Sequence, residues 1–147
     1  MPVEAQPQPP AAVGQAAGDV QEAVDMAAFV AGQGRSAWGE TVPSELADKL
    51  AWTTRQPVGV VGLITPWNFP SAIPAWKLAP ALICGNTVVI KPASPAPLSA
   101  WRIVEAFHDA GLPKGVLNFV AGSGQAGAAI VDAKPVGAVS FTGSCGV

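Results

Sequence analysis

Short, nearly continuous apolar runs alternate with stretches of helical periodicity after residue 57. The runs have the length and continuity of strands that are covered on both faces. They occupy residues 58–65, 87–91, 115–121 and 136–141. Between them, apolar residues at helical spacing predict helices at residues 71–84, 98–110 and 126–133. In the first of these helices, Pro74 and Pro80 predict interruptions.

The first third of the chain has a different pattern. Residues 1–18 are rich in Pro, Ala, Gln and Gly and predict a disordered tail. Residues 19–34 predict a helix that Asp19 caps. Short extended pieces are expected around a turn at residues 43–45. The predicted division is a tail at 1–18, a helix with extended segments at 19–56, and a truncated ligand-binding domain at 57–147.

The alternation of strands and helices favours an α/β fold with a doubly wound parallel sheet. Right-handed crossovers bring the carboxyl ends of all the strands to one edge of such a sheet. Ligands of these folds bind along that edge. The segments expected there are residues 66–70, 91–94, 122–127 and 142–144.

Composition narrows the classes of partner. Half of the 147 residues are apolar, only 12% are charged and the net charge is −2. Without a basic run, nucleic acid is not an expected partner. No apolar run approaches the roughly 20 residues that span a bilayer, and the N-terminus lacks the features of a secretory signal, so no membrane association is expected. The two cysteines form no disulfide framework, which favours a reducing, cytoplasmic location.

The mean hydropathy of +0.36 is high for a chain of this size. Small domains bury a smaller fraction of their surface than large ones do. We therefore expect surplus apolar surface that faces another domain, another subunit or a continuation of the polypeptide.

Three motifs resemble the aldehyde dehydrogenase superfamily in order and spacing. They are ITPWNFP at residues 64–70, PALICGNTVVIKPAS at residues 80–94 and SFTGS at residues 140–144. The resemblance extends from about Asp19 to the end of the chain. It implies part of the Rossmann-like nucleotide-binding domain of that fold, without the catalytic domain. The implied activity is oxidation of an aldehyde to a carboxylic acid with NAD(P)⁺ as hydride acceptor.

Asn68 is the residue to which the resemblance assigns a catalytic role. In the family, a cysteine thiolate attacks the aldehyde, hydride passes to the nicotinamide and water releases the acid. The intermediate contains an oxyanion, and the resemblance makes the amide of Asn68 one of its hydrogen-bond donors. The alternative is that Asn68 only closes a turn between Pro66 and Pro70.

The resemblance assigns cofactor contacts to the segments at the strand ends. Trp67, Ile64 and Pro66 correspond to the wall beside the cofactor, which Asn68 adjoins. Lys91 corresponds to a lysine that contacts the adenosine ribose. A lone lysine at a strand end is otherwise usually only solvated.

Position 94 bears on the choice between the two nicotinamide dinucleotides. Many NAD⁺-preferring relatives have a glutamate there, which would repel a 2′-phosphate. Ser94 is small, neutral and able to donate a hydrogen bond. We therefore expect NADP⁺ or NAD⁺ as cofactor, with NADP⁺ tolerated or preferred.

Two glycine-containing turns complete the expected cofactor site. Gly122, Gly124 and Gly127 resemble the family's glycine-rich loop, although the last two are one step closer together than in relatives. Gly143 and Ser144 correspond to residues that approach the pyrophosphate. We expect the side chains of Lys91 and Ser144 to converge with that of Asn68 at the sheet edge.

The resemblance also implies what this chain lacks. In relatives, the general-base glutamate and the nucleophilic cysteine follow SFTGS, and we expect no catalytic role for Cys145. We therefore expect a partial chain that is inactive alone. Its parent is expected to bind a nicotinamide dinucleotide and a small aldehyde and to be a homo-oligomer. The alternatives are a non-catalytic nucleotide-binding or interaction module and a non-functional truncated remnant.

Overall fold

The structure is a computed structural model that describes residues 10–37 and 39–144. Its helices are α1 (Pro10–Gln33), α2 (Ala72–Ile83), α3 (Pro97–Asp109) and α4 (Gly124–Asp132). Its strands are β1 (Thr41–Val42), β2 (Ala51–Trp52), β3 (Val60–Thr65), β4 (Thr87–Pro92), β5 (Leu117–Phe119) and β6 (Val136–Phe141). The expectations for residues 1–9 and for Cys145 lie outside the described part of the chain.

Helix α1 begins well before the position that the sequence predicts. Residues 10–18, expected in a disordered tail, are helical. Proline is tolerated in a first helical turn, where its missing N–H would have no partner, and the alanines that follow favour helix. Asp19 therefore lies inside α1 and does not cap it.

The extended pieces expected around residues 43–45 pair as an antiparallel two-stranded arm. Thr41 lies opposite Trp52, and Val42 lies opposite Ala51. The Glu40 amide donates to Thr53 Oγ1 at 2.9 Å and extends the pairing. The arm forms a small sheet separate from the main one.

The remaining strands form a parallel sheet in the order β5-β4-β3-β6. The predicted parallel α/β architecture is confirmed. Strand β5 is shorter than the predicted residues 115–121. Helix α2 is continuous, contrary to the predicted interruptions, because Pro74 lies in its first turn and Pro80 is accommodated in its interior.

Helices cover both faces of the sheet. Leu63 of β3 belongs to the core cluster that also contains Leu78 of α2 and Val104 of α3. On the other face, a Cβ at Gly62 would lie 2.5 Å from Ile130 Cγ2. Glycine at position 62 therefore allows α4 to pack close against β3.

Large apolar side chains also remain exposed. On α1 they are Val13, Val20, Val24 and Phe29, and on and near the arm they are Val42, Leu46, Leu50 and Trp52. This agrees with the surplus apolar surface expected from the hydropathy. In the described part of the chain, no helix is both long and apolar enough to cross a membrane.

Candidate functional site

One row of side chains crosses the carboxyl edge of the main sheet. Lys91 of β4 pairs in register with Ile64 of β3, and Ile64 pairs in turn with Phe141 of β6. Residues in register on parallel strands point to the same face. Ile64 Cδ1 lies 3.6 Å from the position of a Cβ on Gly127, so the row faces α4.

Two open grooves meet at this row. The first, which we name the edge groove, has a volume of about 290 Å³. Its lining consists of Ile64, Thr65, Pro66, Trp67, Lys91, Ala93, Ser94, Pro95, Gly124, Phe141, Thr142, Gly143 and Ser144. The second, the α4 groove, has a volume of about 600 Å³. Its lining consists of Ile64, Lys91, Gly124, Gly127, Ala128, Val131, Asp132, Val139 and Phe141.

Lys91 lies where the two grooves join. Only 6% of the surface of Lys91 is exposed to solvent. Its ammonium makes no ion pair and no hydrogen bond with any side chain in residues 10–37 and 39–144. A lysine side chain that has no protein partner is available to a ligand that offers oxygen acceptors.

Ser94 joins the end of β4 to the glycine-rich loop. Its hydroxyl donates to the Gly122 carbonyl oxygen at 2.9 Å. The sequence predicted that the Ser94 hydroxyl could donate a hydrogen bond to a ligand. In the structure its hydrogen is used in the bond to Gly122, whereas Ser94 Oγ can still accept a hydrogen bond. A small residue at position 94 thus closes the loop against β4 and leaves the neighbouring space open.

The amino end of α4 points toward the two grooves. Ser123 caps this helix, since its Oγ accepts from the Gln125 amide at 3.3 Å. A Cβ on Gly124 would meet no protein atom within 4 Å, because that space belongs to the grooves. A helix amino end beside a buried lysine makes this region favourable for an anion.

The SFTGS turn forms the far wall of the edge groove. The Thr142 amide donates to the Ile64 carbonyl at 3.0 Å and prolongs the pairing of β6 with β3. A Cβ on Gly143 would lie 2.6 Å from the Phe141 ring. Glycine at position 143 therefore permits the turn that brings Ser144 into the same groove as Lys91.

Asn68 is not in the edge groove. It is exposed and lines a third cavity of about 750 Å³, which we name the α1 groove. The lining of that groove comes from α1, the segment before α2 and the first turn of α3: Ala12, Gln15, Ala16, Gly18, Asp19, Val20, Glu22, Asn68, Phe69, Pro70, Ser71 and Ser99. The sequence predicted that Asn68, Lys91 and Ser144 converge. The structure joins Lys91 to Ser144, while the chain turns after Trp67 and places Asn68 against α1.

Asp19 fixes the segment that contains Asn68. Its buried carboxylate accepts from the Ser71 amide at 2.9 Å and from the Ala72 amide at 2.8 Å. N–H groups at the amino end of a helix have no acceptor within that helix. Ser71, the N-cap residue of α2, does not supply one through its side chain. A carboxylate from α1 therefore caps α2, and no local sequence pattern indicates this long-range contact.

These features can be compared with known proteins. Residues 11–147 match the family described as the aldehyde dehydrogenase family. The chain belongs to the aldehyde dehydrogenase family. The resemblance that the three motifs indicated is confirmed.

Individual aldehyde dehydrogenases are similar over most of this chain. The alpha-ketoglutaric semialdehyde dehydrogenase of Bacillus subtilis is 47% identical over 131 residues, which cover 88% of this chain and 27% of that protein. The 2,5-dioxopentanoate dehydrogenase of Saccharolobus solfataricus is 54% identical over 107 residues, or 72% of this chain and 22% of that protein. The chain thus spans about a quarter of the length of these relatives.

Solved aldehyde dehydrogenase structures share the fold. Succinate-semialdehyde dehydrogenase from Burkholderia pseudomallei aligns with a TM-score of 0.85 and 39% identity over 89% of this chain and 27% of its own. PnpE in complex with nicotinamide adenine dinucleotide aligns with a TM-score of 0.82 and 43% identity over 86% of this chain and 26% of its own. The Rossmann-like character of the predicted sheet is confirmed.

Several residues around the site were not predicted from the sequence. Phe141 continues the row of Lys91 and Ile64, and the period-2 alternation of strand β6 could have identified it. Thr65 lines the edge groove but its buried Oγ1 has no hydrogen-bond partner in the described chain. No local signal distinguishes Thr65 from its apolar neighbours on β3.

Lys77 links α2 to the strand that ends at this edge. Its Nζ donates to Ser140 Oγ on β6 at 2.6 Å. Burial disfavours the charged form and lowers the pKa of Lys77 below its usual value of 10.5. The bond joins α2 to β6 at Ser140, the first residue of the SFTGS motif.

Proposed function

We propose that this chain is the nucleotide-binding part of an NAD(P)⁺-dependent aldehyde dehydrogenase, in which the edge groove and the α4 groove hold the dinucleotide. The observation that supports this most is the position of Lys91, a largely buried residue that lines both grooves and whose side chain makes no hydrogen bond or ion pair with the described residues. Ribose hydroxyl and phosphate oxygens are the acceptors that such a cation requires. The amino end of α4 adds unpaired N–H groups that favour the same anionic ligand.

The remaining predicted cofactor residues fit this assignment. Gly143 and Ser144 form the wall opposite Lys91, where the pyrophosphate would lie, and Trp67 with Pro66 forms the side toward Asn68. A bound nicotinamide cofactor would supply the hydride acceptor of the reaction. The role of this chain is to bind the cofactor, orient it and keep it beside the Asn68 segment.

We also propose that the α1 groove holds the aldehyde. The Asn68 amide would donate a hydrogen bond to the carbonyl oxygen, and Asp19 holds the residues that follow shortly after it through the amides of Ser71 and Ala72. The aldehyde carbonyl would lie between Asn68 and the nicotinamide end of the edge groove. The thiol nucleophile and the general base would come from a polypeptide region that follows this segment in the relatives.

NADP⁺ is proposed as a cofactor at least as good as NAD⁺. Ser94 presents no carboxylate beside the ribose site, and its hydroxyl donates to the Gly122 carbonyl. A 2′-phosphate could therefore approach the Lys91 ammonium without repulsion.

Calorimetric titration of the chain with NADP⁺ and NAD⁺ tests the proposal. Lys91→Met should weaken binding of both dinucleotides by about 10-fold or more, because it removes a charged hydrogen-bond donor. Lys114→Met is the matched control, since Lys114 precedes β5 at the opposite edge of the sheet and lines neither groove. Equal affinity in the wild type and Lys91→Met would exclude Lys91 as a ligand contact, and the absence of any binding would reject the site.

A further inference from the structure

One buried polar side chain stands apart from the others. Within residues 10–37 and 39–144, the hydroxyl oxygen of Thr65 is the one side-chain polar atom that is closed to solvent and has no hydrogen-bond partner. The residue is only 2% exposed. A buried hydroxyl without a partner costs free energy, and such a group in a native protein requires an explanation.

Neither packing nor strand formation requires this hydroxyl. Thr65 follows Leu63 and Ile64, which are buried and apolar, at the end of β3. Valine has nearly the same shape as threonine, favours strands equally well and would carry no polar atom into the interior. The hydroxyl therefore points to a partner that the described chain does not supply.

The edge groove is the place from which such a partner can reach Thr65. Alternation along β3 puts Thr65 on the same face as Leu63, whereas Ile64 belongs to the row with Lys91 on the other face. The edge groove is lined by both Ile64 and Thr65, so it extends across the end of β3. A ligand that lies along the groove from Lys91 to Trp67 passes this strand end.

The chemistry of the missing partner follows from the hydroxyl. A threonine hydroxyl can donate one hydrogen bond and can turn about χ1 between staggered rotamers when an acceptor arrives. The middle of a dinucleotide, between its adenosine ribose and its nicotinamide ring, consists of phosphate groups and a second ribose. Their oxygen atoms are suitable acceptors.

We propose that the Thr65 hydroxyl donates a hydrogen bond to a phosphate or ribose oxygen of the dinucleotide bound in the edge groove. This inference rests on the proposed cofactor site and adds to it a donor that has no partner in the ligand-free chain. It requires Thr65 to act in opposite directions on two quantities. The hydroxyl should lower the stability of the free chain and raise its affinity for the dinucleotide.

Thr65→Val tests this pair of effects. In urea denaturation without ligand, the variant should have a higher midpoint than the wild type, because it no longer buries an unpartnered hydroxyl. In calorimetric titration, the same variant should bind NAD⁺ about 5-fold more weakly, the loss expected of one neutral hydrogen bond. A residue with a purely structural role would not shift stability and affinity in opposite directions.

Two further variants control for shape and for a general effect on the sheet. Thr65→Ser keeps the hydroxyl and should bind NAD⁺ within about 2-fold of the wild type. Thr87→Val makes the same chemical change at the first residue of β4, where the hydroxyl bonds to the Gly59 carbonyl at 3.5 Å and lines neither groove. It should leave the affinity for NAD⁺ unchanged.

The outcomes separate this inference from the proposed function. If Thr65→Val binds NAD⁺ as tightly as the wild type, Thr65 makes no ligand contact and the cofactor site stands without it. A lower urea midpoint in Thr65→Val, or its failure to fold, would show that the hydroxyl serves the folded chain itself and would overturn the inference. A wild-type chain that does not bind NAD⁺ rejects the cofactor site and the inference together.

Discussion

The edge groove and the α1 groove lie on either side of Trp67, yet they are built in different ways. The edge groove consists of strand ends and the turns that follow them, in which Lys91, Ile64 and Phe141 are register neighbours. The α1 groove depends on contacts between α1 and the segment before α2, which the Asp19 carboxylate ties together. One site follows from sheet register, whereas the other requires two distant segments to pack.

This difference has a functional meaning under the proposed assignment. The cofactor would bind to the regular sheet edge, and the aldehyde would bind where a helix from outside that sheet meets the Asn68 segment. Substitutions in one groove should then leave the other groove's ligand largely unaffected. The following changes test this separation, from the largest expected effect to the smallest.

Asn68→Ala should have the largest effect, on turnover alone. In a hybrid in which residues 57–144 replace the matching segment of the Bacillus subtilis relative, we expect kcat to fall about 10²–10³-fold through loss of an oxyanion donor. The KM for NAD(P)⁺ should change by less than about 2-fold, because Asn68 lies outside the edge groove. Steady-state kinetics measures both, and a kcat within about 3-fold of the parent hybrid would remove Asn68 from the mechanism.

Asp19→Ala should destabilise the fold and leave the edge groove functional. Two buried amide groups, at Ser71 and Ala72, lose a carboxylate acceptor. We expect the free energy of unfolding to fall by about 2–4 kcal/mol in urea denaturation. Asp25→Ala, at an exposed position of α1 with a single hydrogen bond to Gln21, should cost less than about 0.5 kcal/mol. Similar losses in the two variants would refute the capping role.

Ser94→Glu should alter the choice of cofactor. A carboxylate beside Lys91 repels a 2′-phosphate and accepts hydrogen bonds from ribose hydroxyls, so the affinity ratio of NADP⁺ to NAD⁺ should fall about 10-fold in calorimetry. Ser99→Glu places the same charge in the α1 groove and should leave this ratio unchanged. An unchanged ratio in Ser94→Glu would place the 2′ position elsewhere.

Lys77→Met should have the smallest effect, visible mainly as pH dependence. Burial lowers the folded-state pKa of Lys77, so the unfolded chain holds this proton more tightly than the folded chain does. The cost of burying the charged form is fully present below the folded-state pKa and is relieved as pH rises toward 10.5. Wild-type stability should therefore rise relative to Lys77→Met over the alkaline range in which the pH approaches 10.5, as measured by urea denaturation. A constant difference across that range would contradict the shift.

The edge groove was largely predictable from the sequence. Apolar runs placed β3, β4 and β6, and parallel topology then brought Lys91, Trp67 and Ser144 to one edge. The assignment to the aldehyde dehydrogenase family came from three motifs in register, and the family match confirmed it. The roles of the individual residues remain predictions.

The tertiary structure decided what local patterns do not encode. Composition predicted a disordered tail at residues 1–18, but residues 10–18 belong to α1. Asp19 was expected to cap α1, but its carboxylate caps α2. The direction of Asn68, the use of the Ser94 hydroxyl within the protein and the position of Asp132 beside a groove all depend on contacts between segments far apart in the chain. Hydrophobic periodicity specifies which face of an element is buried, but the partner that a polar side chain meets is set only when the elements pack.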